Sequence, residues 1–350
     1  MRIAIVTDAW EPQVNGVVNA IRNLLVELGR NGHRVLLVEP GQFRTVPCPT
    51  YPEIRLALTT PGRVGRGIET FAPDAVHLMT EGPLCLAARN WCVRRNVPFT
   101  SAFCTNFPDY LEARTRIPER FFWPYFRWFH GASSGTFGST ASVREKLASQ
   151  RIPSVRAWGR GVDLANFSPD TLPPELYFTL PRPIMLYVGR IAVEKNVEAF
   201  LRCTRPGTKV LVGDGPARVA LQARYPEARF LGVRHGKELA SAYAGADVFV
   251  FPSRTDTFGV VMIEALACGT PVAAYPVDGP RDVVDPGVGT LDEDLDVAIG
   301  GALACDREAC SAYGRSFTWQ ASAQQFLDAL EPLGCVVPSG ARGAARHAFL

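Results

Sequence analysis

Residues 248–275 constrain the fold of this chain more than any other stretch. Val248-Phe-Val-Phe251 reads as a short apolar strand, Pro252 breaks it, and the polar turn Ser253-Arg-Thr-Asp256-Thr leads into a helix from about Gly259. That helix is expected to stop at Gly269. A glycine just past the last helical residue, with a proline such as Pro271 shortly after it, is a common helix terminus. A second apolar strand, Val272-Ala-Ala-Tyr275, follows at once. Strand, turn, helix and strand in direct succession form the unit of a doubly wound parallel sheet.

The helix reads Val260-Val-Met-Ile-Glu264-Ala-Leu-Ala-Cys268, a single carboxylate among apolar side chains. Burying an ionised carboxylate alone costs several kcal/mol, so Glu264 needs a partner. That partner is an arginine or backbone amide if the residue is structural, and ligand hydroxyls if it is functional. Asp256 stands eight positions earlier, in the loop that feeds the helix N-terminus. Unpaired amides and the positive end of the helix dipole suit an anion there. The combination suits a ligand with both hydroxyls and phosphate.

The run Ser253-Arg-Thr-Asp-Thr-Phe-Gly-Val-Val-Met-Ile-Glu264-Ala-Leu-Ala-Cys-Gly-Thr-Pro-Val272 resembles the signature of retaining GT-B glycosyltransferases of family 4. Those enzymes usually carry two glutamates separated by seven residues. Asp256 in the first position is similar to the GDP-mannose-dependent α-mannosyltransferase and sulfolipid-synthase branches. The resemblance implies an α/β GT-B fold of two Rossmann-like doubly wound domains facing across a cleft, with a C-terminal helix that crosses back to the first domain.

At 350 residues the chain has room for two domains. Its formal charge of +3 is too small to suggest nucleic acid as a partner. Nine cysteines without a Cys-x-x-Cys pair read as scattered thiols in a reducing compartment, not as a metal site. Met1-Arg-Ile-Ala-Ile-Val6 runs straight into Thr7-Asp8 like a strand, not a signal peptide. No apolar run reaches about 18 residues, the length that would span a bilayer. A cytoplasmic protein, peripheral at the inner face of the membrane, is expected.

In chain order, strand 2–7, the loop to Gly16, a helix from about Val18 to Arg30 and strand Arg34–Val38 form one unit. Asn15-Gly16-Val17 does not spell the dinucleotide fingerprint, so a nicotinamide or flavin reading loses its support. Gly16 is either a helix-capping residue or, as the resemblance implies, the point where backbone approaches a diphosphate. The strand Pro98–Phe103 ends in Cys104-Thr-Asn-Phe-Pro-Asp-Tyr110. Members of the family usually have histidine, near the donor sugar, where Cys104 stands. A thiol does not replace imidazole, being mostly protonated at pH 7 and a weak donor.

Residues 116–131 hold seven aromatics in positions 121–130, with arginines at 116, 120 and 127. They suit either a membrane interface or the core of the first domain. Arg160-Gly-Val-Asp163, with Phe167 and Pro169, is similar to the family's segment before its interdomain linker. Thr171-Leu-Pro-Pro174 reads as that linker, dividing domain 1–172 from domain 173–315.

The second domain repeats the grammar with strand Arg182–Val188 and a loop carrying Arg190 and Lys195. Four of the 37 basic residues are lysine, which makes Lys195 noticeable. The resemblance implies that Arg190 and Lys195 clamp the diphosphate, that the loop holding His235 packs on the base, and that Val277-Asp278-Gly279-Pro280 closes the donor pocket. It gives Glu264 the donor ribose, Asp256 the hexose hydroxyls, and the amides near Phe258 and Gly259 the phosphate. A helix over 310–330, with Ala323, Phe326, Leu327 and Leu330 at helical spacing, is expected to cross back within segment 316–335, leaving 336–350 as a tail.

The reading is retaining transfer of a hexose, best matched by mannose from GDP-mannose, to an acceptor hydroxyl on a membrane lipid or other glycan. It calls for no metal and no cofactor besides the nucleotide sugar. A UDP-sugar donor, a nucleotide-sugar epimerase and an inactive nucleotide-binding homologue remain alternatives.

Overall fold

The computed structural model describes residues 1–13, 15–48 and 51–333; the expected tail at 336–350 lies outside them. The first part of the chain supplies β1 (Arg2–Val6), β2 (Arg34–Val38), β3 (Arg44–Cys48), β4 (Tyr51–Leu58), β5 (Ala75–Leu78), β6 (Thr100–Phe103), β7 (Gly135–Gly138) and β8 (Val155–Ala157). β3 and β4 pair as an antiparallel hairpin. The others form a parallel sheet in the order β2-β1-β5-β6-β7-β8.

A second sheet follows, built from β9 (Ile184–Val188), β10 (Thr208–Val212), β11 (Arg229–Gly232), β12 (Val248–Phe251), β13 (Val272–Ala274) and β14 (Gly289–Leu291). Its order, β11-β10-β9-β12-β13-β14, is parallel throughout. The central strands of both sheets are buried, Ile3–Val6 in one and Ile184–Leu186 in the other. Sheets covered on both faces require such unbroken apolar strands. Strand order reverses between β1 and β5 and between β9 and β12. Ligands of open parallel sheets bind outside the carboxyl ends of strands at such reversals.

The helix Trp319–Ala329 buries Ala323, Phe326 and Ala329 against Ile3, Ile5 and Ile21. It therefore completes the core of the first domain, although β9–β14 lie between them in sequence. The single helix expected over 310–330 is two, Arg307–Gly314 and Trp319–Ala329. The break lies at the crossing, where the Val162 amide donates to the Phe317 carbonyl at 3.0 Å and Thr318 caps the second helix. A Cβ on Gly161 would lie 2.3 Å from the Trp319 nitrogen, so the two strands of chain pass too closely for any side chain.

The aromatic run at 121–130 is divided between core and surface. On the helix Trp123–His130, Trp123, Phe126 and Phe129 are buried, while Tyr125 and Trp128 face outward with Phe121 from the preceding turn. Among the described residues no helix is long and apolar enough to cross a membrane.

Candidate active site

The helix expected after β12 is Val260–Ala267. Gly259 precedes it at φ +80°, where a Cβ would stand 2.8 Å from Met262 Cε and 2.9 Å from the Phe251 ring. Both the left-handed conformation and the close packing require glycine. Phe258 is buried beside it, edge-on to Phe317.

Asp256, in the same loop, is ion-paired through Oδ1 with Lys195 Nζ. The two loops are pinned together: Asn196 Nδ2 donates to the Pro252 carbonyl at 3.2 Å, and Thr255 Oγ1 to the Glu194 carbonyl at 3.5 Å. The second Asp256 oxygen, Oδ2, is buried and has no hydrogen-bond partner. Gly279, at φ +86°, brings the 277–281 loop so close that a Cβ would lie 2.8 Å from the Asp256 carbonyl.

One turn into the helix, Glu264 is buried and accepts a hydrogen bond from the Tyr243 hydroxyl at 3.1 Å. Burial pushes its pKa up to about 7, with the Tyr243 hydrogen bond pulling it down and the charge of Asp163 adding to the rise. Sequence patterning did not point to Tyr243, which lies 21 residues upstream on the helix Gly236–Gly245.

Arg190 follows β9, half-buried, and its carbonyl accepts from the Tyr187 hydroxyl at 2.7 Å. His235 is exposed just past β11. In the first domain Asn15, not Gly16, caps the helix Gly16–Arg30, its Oδ1 accepting from the Val17 and Val18 amides at 3.0 Å each. Gly16 is exposed, and a Cβ there would meet nothing within 4 Å, so its face is open to a ligand.

Cys104 is half-buried at the end of β6. Its Sγ lies 3.6 Å from an Arg160 nitrogen and 4.0 Å from Met79 Sδ. Burial pushes the thiol up to about 11 despite the pull of Arg160, so it carries no charge at neutral pH.

The two domains meet at Thr257, beside Asp256. Its Oγ1 donates to the Cys104 carbonyl at 2.9 Å, and its own carbonyl accepts from Ser139 Oγ at 3.0 Å and Thr140 Oγ1 at 3.2 Å. Ser142, opening the helix Ala141–Ser149, bonds the Asp282 carboxylate through its amide at 3.2 Å and through its hydroxyl. A polar cavity of about 320 Å³ lies beside this junction, lined by Asn106 and Asp109 from the first domain and by Arg254, Asp256, Asp278 and Arg281 from the second. Among the described residues no three His, Cys, Asp or Glu side chains are grouped so as to hold a metal ion.

Residues 14–166 match the family model described as Glycosyltransferase Family 4, and residues 182–304 the one described as Glycosyl transferases group 1. A GDP-mannose-dependent alpha-mannosyltransferase of Mycobacterium tuberculosis is 36% identical over 309 residues, 82% of each chain. A sulfoquinovosyl transferase of Arabidopsis thaliana is 30% identical over 298 residues, 77% of this chain and 58% of that one. Among solved structures, a sucrose-phosphate synthase from Thermosynechococcus elongatus superposes with a TM-score of 0.74 at 22% identity, covering 93% of this chain and 97% of that one. The two facing parallel-sheet domains define a GT-B glycosyltransferase. The chain belongs to glycosyltransferase family 4.

Proposed function

We propose that this enzyme transfers mannose from GDP-mannose, with retention at the anomeric carbon, to a hydroxyl of a membrane glycolipid. The observation that carries the reading is the arrangement around one helix N-terminus: Lys195 paired with Asp256, Glu264 buried one turn inside, and Gly259 supplying the left-handed turn that starts the helix. The name of the mycobacterial relative supports the donor.

In this reading Glu264 accepts from the donor ribose and His235 borders the base. Arg190 and Lys195, with the amides near Phe258 and Gly259 and the open backbone at Gly16, hold the diphosphate. Positive charge aimed at a leaving phosphate stabilises the transition state as negative charge grows there, so neither metal nor cofactor is called for. Asp256 releases part of its hold on Lys195 and accepts from hexose hydroxyls. The acceptor hydroxyl attacks the anomeric carbon from the face the nucleotide leaves, and the departing phosphate oxygen takes its proton. Cys104, neutral at pH 7, walls the sugar pocket and transfers no proton.

The membrane face in this reading is the stripe Ile117, Phe121, Tyr125 and Trp128. All four side chains are exposed, with Arg116, Arg120 and Arg127 among them. Exposed rings flanked by cations fit the boundary of an anionic leaflet, and this would place the enzyme peripherally on the cytoplasmic side.

The test is thermal stabilisation by GDP-mannose, GDP, UDP-glucose and UDP in parallel, without added metal. A ligand at 100 times its dissociation constant adds about 2.7 kcal/mol. Stabilisation by the guanine pair supports the reading; a shift with the uracil pair alone replaces the donor, and no shift with any removes the site.

A further inference from the structure

Glu264 stands in an apolar helix as a carboxylate with too few donors. It is 7% exposed, and among the described residues one hydrogen bond acts on its side chain, the Tyr243 hydroxyl donating to Oε2 at 3.1 Å. An ionised carboxylate offers about four lone-pair sites, and leaving a buried charged group short of partners is costly. Asp163, from the segment after β8, adds a like charge instead of a donor. Cys268, on the same helix as Glu264, is neutral, its thiol pushed up to about 12 by burial.

Tyr243 is held in place by its own packing. Its side chain is fully buried, edge-on to Phe249 with ring centres 5.6 Å apart and to Phe167 at 6.0 Å. Its carbonyl accepts from Thr270 Oγ1 at 2.6 Å. Burial and the neighbouring charge of Glu264 push the phenol well above its usual range, so the hydroxyl keeps its proton and donates it to the carboxylate. A donor fixed in this way engages Oε2 and leaves Oε1 to another donor. The helix that carries Tyr243, Gly236–Gly245, begins at His235, the residue given to the nucleotide base.

We propose that Tyr243 is a positioning residue of the donor site: it holds Oε2 of Glu264 and leaves Oε1 for the ribose hydroxyls, so that one helix sets the wall of the base at its start and aims the ribose carboxylate at its end. The proposal rests on the glycosyl-transfer reading of the cleft and adds to it the group that orients Glu264.

The test is the dissociation constant of GDP and of 2′,3′-dideoxy-GDP for wild type and Tyr243→Phe, measured by titration calorimetry between about pH 5.5 and 9. At neutral pH, Y243F is expected to bind GDP about tenfold more weakly and the dideoxy nucleotide as wild type does. GDP affinity should fall as the Glu264 carboxylate takes up a proton. The midpoint of that fall should lie at higher pH in Y243F, because the lost hydrogen bond favoured the ionised form. The dideoxy nucleotide carries the same phosphates and removes their titration from the comparison. Equal losses with both nucleotides, or a midpoint that stays where it is in wild type, would make Tyr243 a packing residue and overturn the proposal.

Deleting the phenol leaves a buried carboxylate unpartnered and could unfold the chain, so the same step is also taken in Glu264→Gln, where no charge depends on it. Adding Y243F to E264Q should change GDP affinity by less than about twofold; a larger loss shows that Tyr243 acts by another route and overturns the proposal. If wild type takes UDP instead of GDP, the comparison is made with UDP and 2′,3′-dideoxy-UDP. Wild type that binds neither nucleotide is a separate result, which removes the donor reading itself and the role of Tyr243 with it.

Discussion

The Thr257 hydroxyl donates across the cleft to the Cys104 carbonyl at 2.9 Å, and the Thr257 carbonyl accepts from Ser139 and Thr140 in return. One residue of the second domain is thus held from two strand ends of the first. Its neighbour is Asp256, so the position of that carboxylate depends on how the domains sit together.

Thr257→Val keeps the shape and removes one cross-cleft donor. A net hydrogen bond contributes about 1 kcal/mol, so melting should change little. Misplacement of a reacting group by about 1 Å can cost on the order of 100-fold in rate, and a fall in kcat well beyond the stability change is expected. Equal kcat in variant and wild type would show that the loop is positioned by the second domain alone.

Lys195→Ala separates structure from chemistry. Both partners of the Lys195–Asp256 pair are partly exposed, so the pair contributes at most about 1 kcal/mol to stability. Loss of a cation from the leaving group should lower kcat by roughly 100-fold or more. Steady-state kinetics beside a melting curve checks this, and a variant that melts early but turns over normally would remove the clamp.

Glu264 makes stability depend on pH in a stated direction. Its folded pKa is about 7 against an ordinary 4.5. Between these values the folded state holds a proton that the unfolded state has released, so stability falls as pH rises through this window and levels off above it. Glu264→Gln should flatten that slope in denaturant melts of the ligand-free protein. Tyr243→Phe, which deletes the hydrogen bond that favours the carboxylate, should move the upper end of the window to still higher pH.

Phe121→Ser with Trp128→Ser tests the membrane face. Each ring buried in an interface contributes about 1.5 kcal/mol or more, so co-sedimentation with anionic vesicles should weaken at least about tenfold per ring. Turnover on a water-soluble acceptor should be unchanged. Vesicle binding equal to wild type would assign those rings another role.

Much of the site was legible because its signals are local. Asp256, Gly259 and Glu264 lie within nine residues, and the helix start, its apolar run and its glycine stop are all short-range features. The partners were not legible, because they come from elsewhere in the fold. Tyr243 meets Glu264 from another helix, and Ser139 and Thr140 meet Thr257 only when two domains are brought together. The burial of Arg160 was hidden for the same reason: it comes from packing against Trp158 and Cys104, which the sequence does not place together. For the aromatics of 121–130 the spacing was present but which side faced inward was not, since both faces of the short helix Trp123–His130 carry rings.

The interleaving of the helix Trp319–Ala329 with Ile3, Ile5 and Ile21 bears on how the protein is made. A nascent chain emerges from its N-terminus, so the first sheet is synthesised long before the helix that covers one of its faces. The second domain has all its strands once residue 291 is out, and it can close while the first still exposes an oily surface. The domain begun first is finished second. In the cell that surface needs shielding for the whole interval, and chains cut short anywhere between residues 160 and 319 carry it permanently.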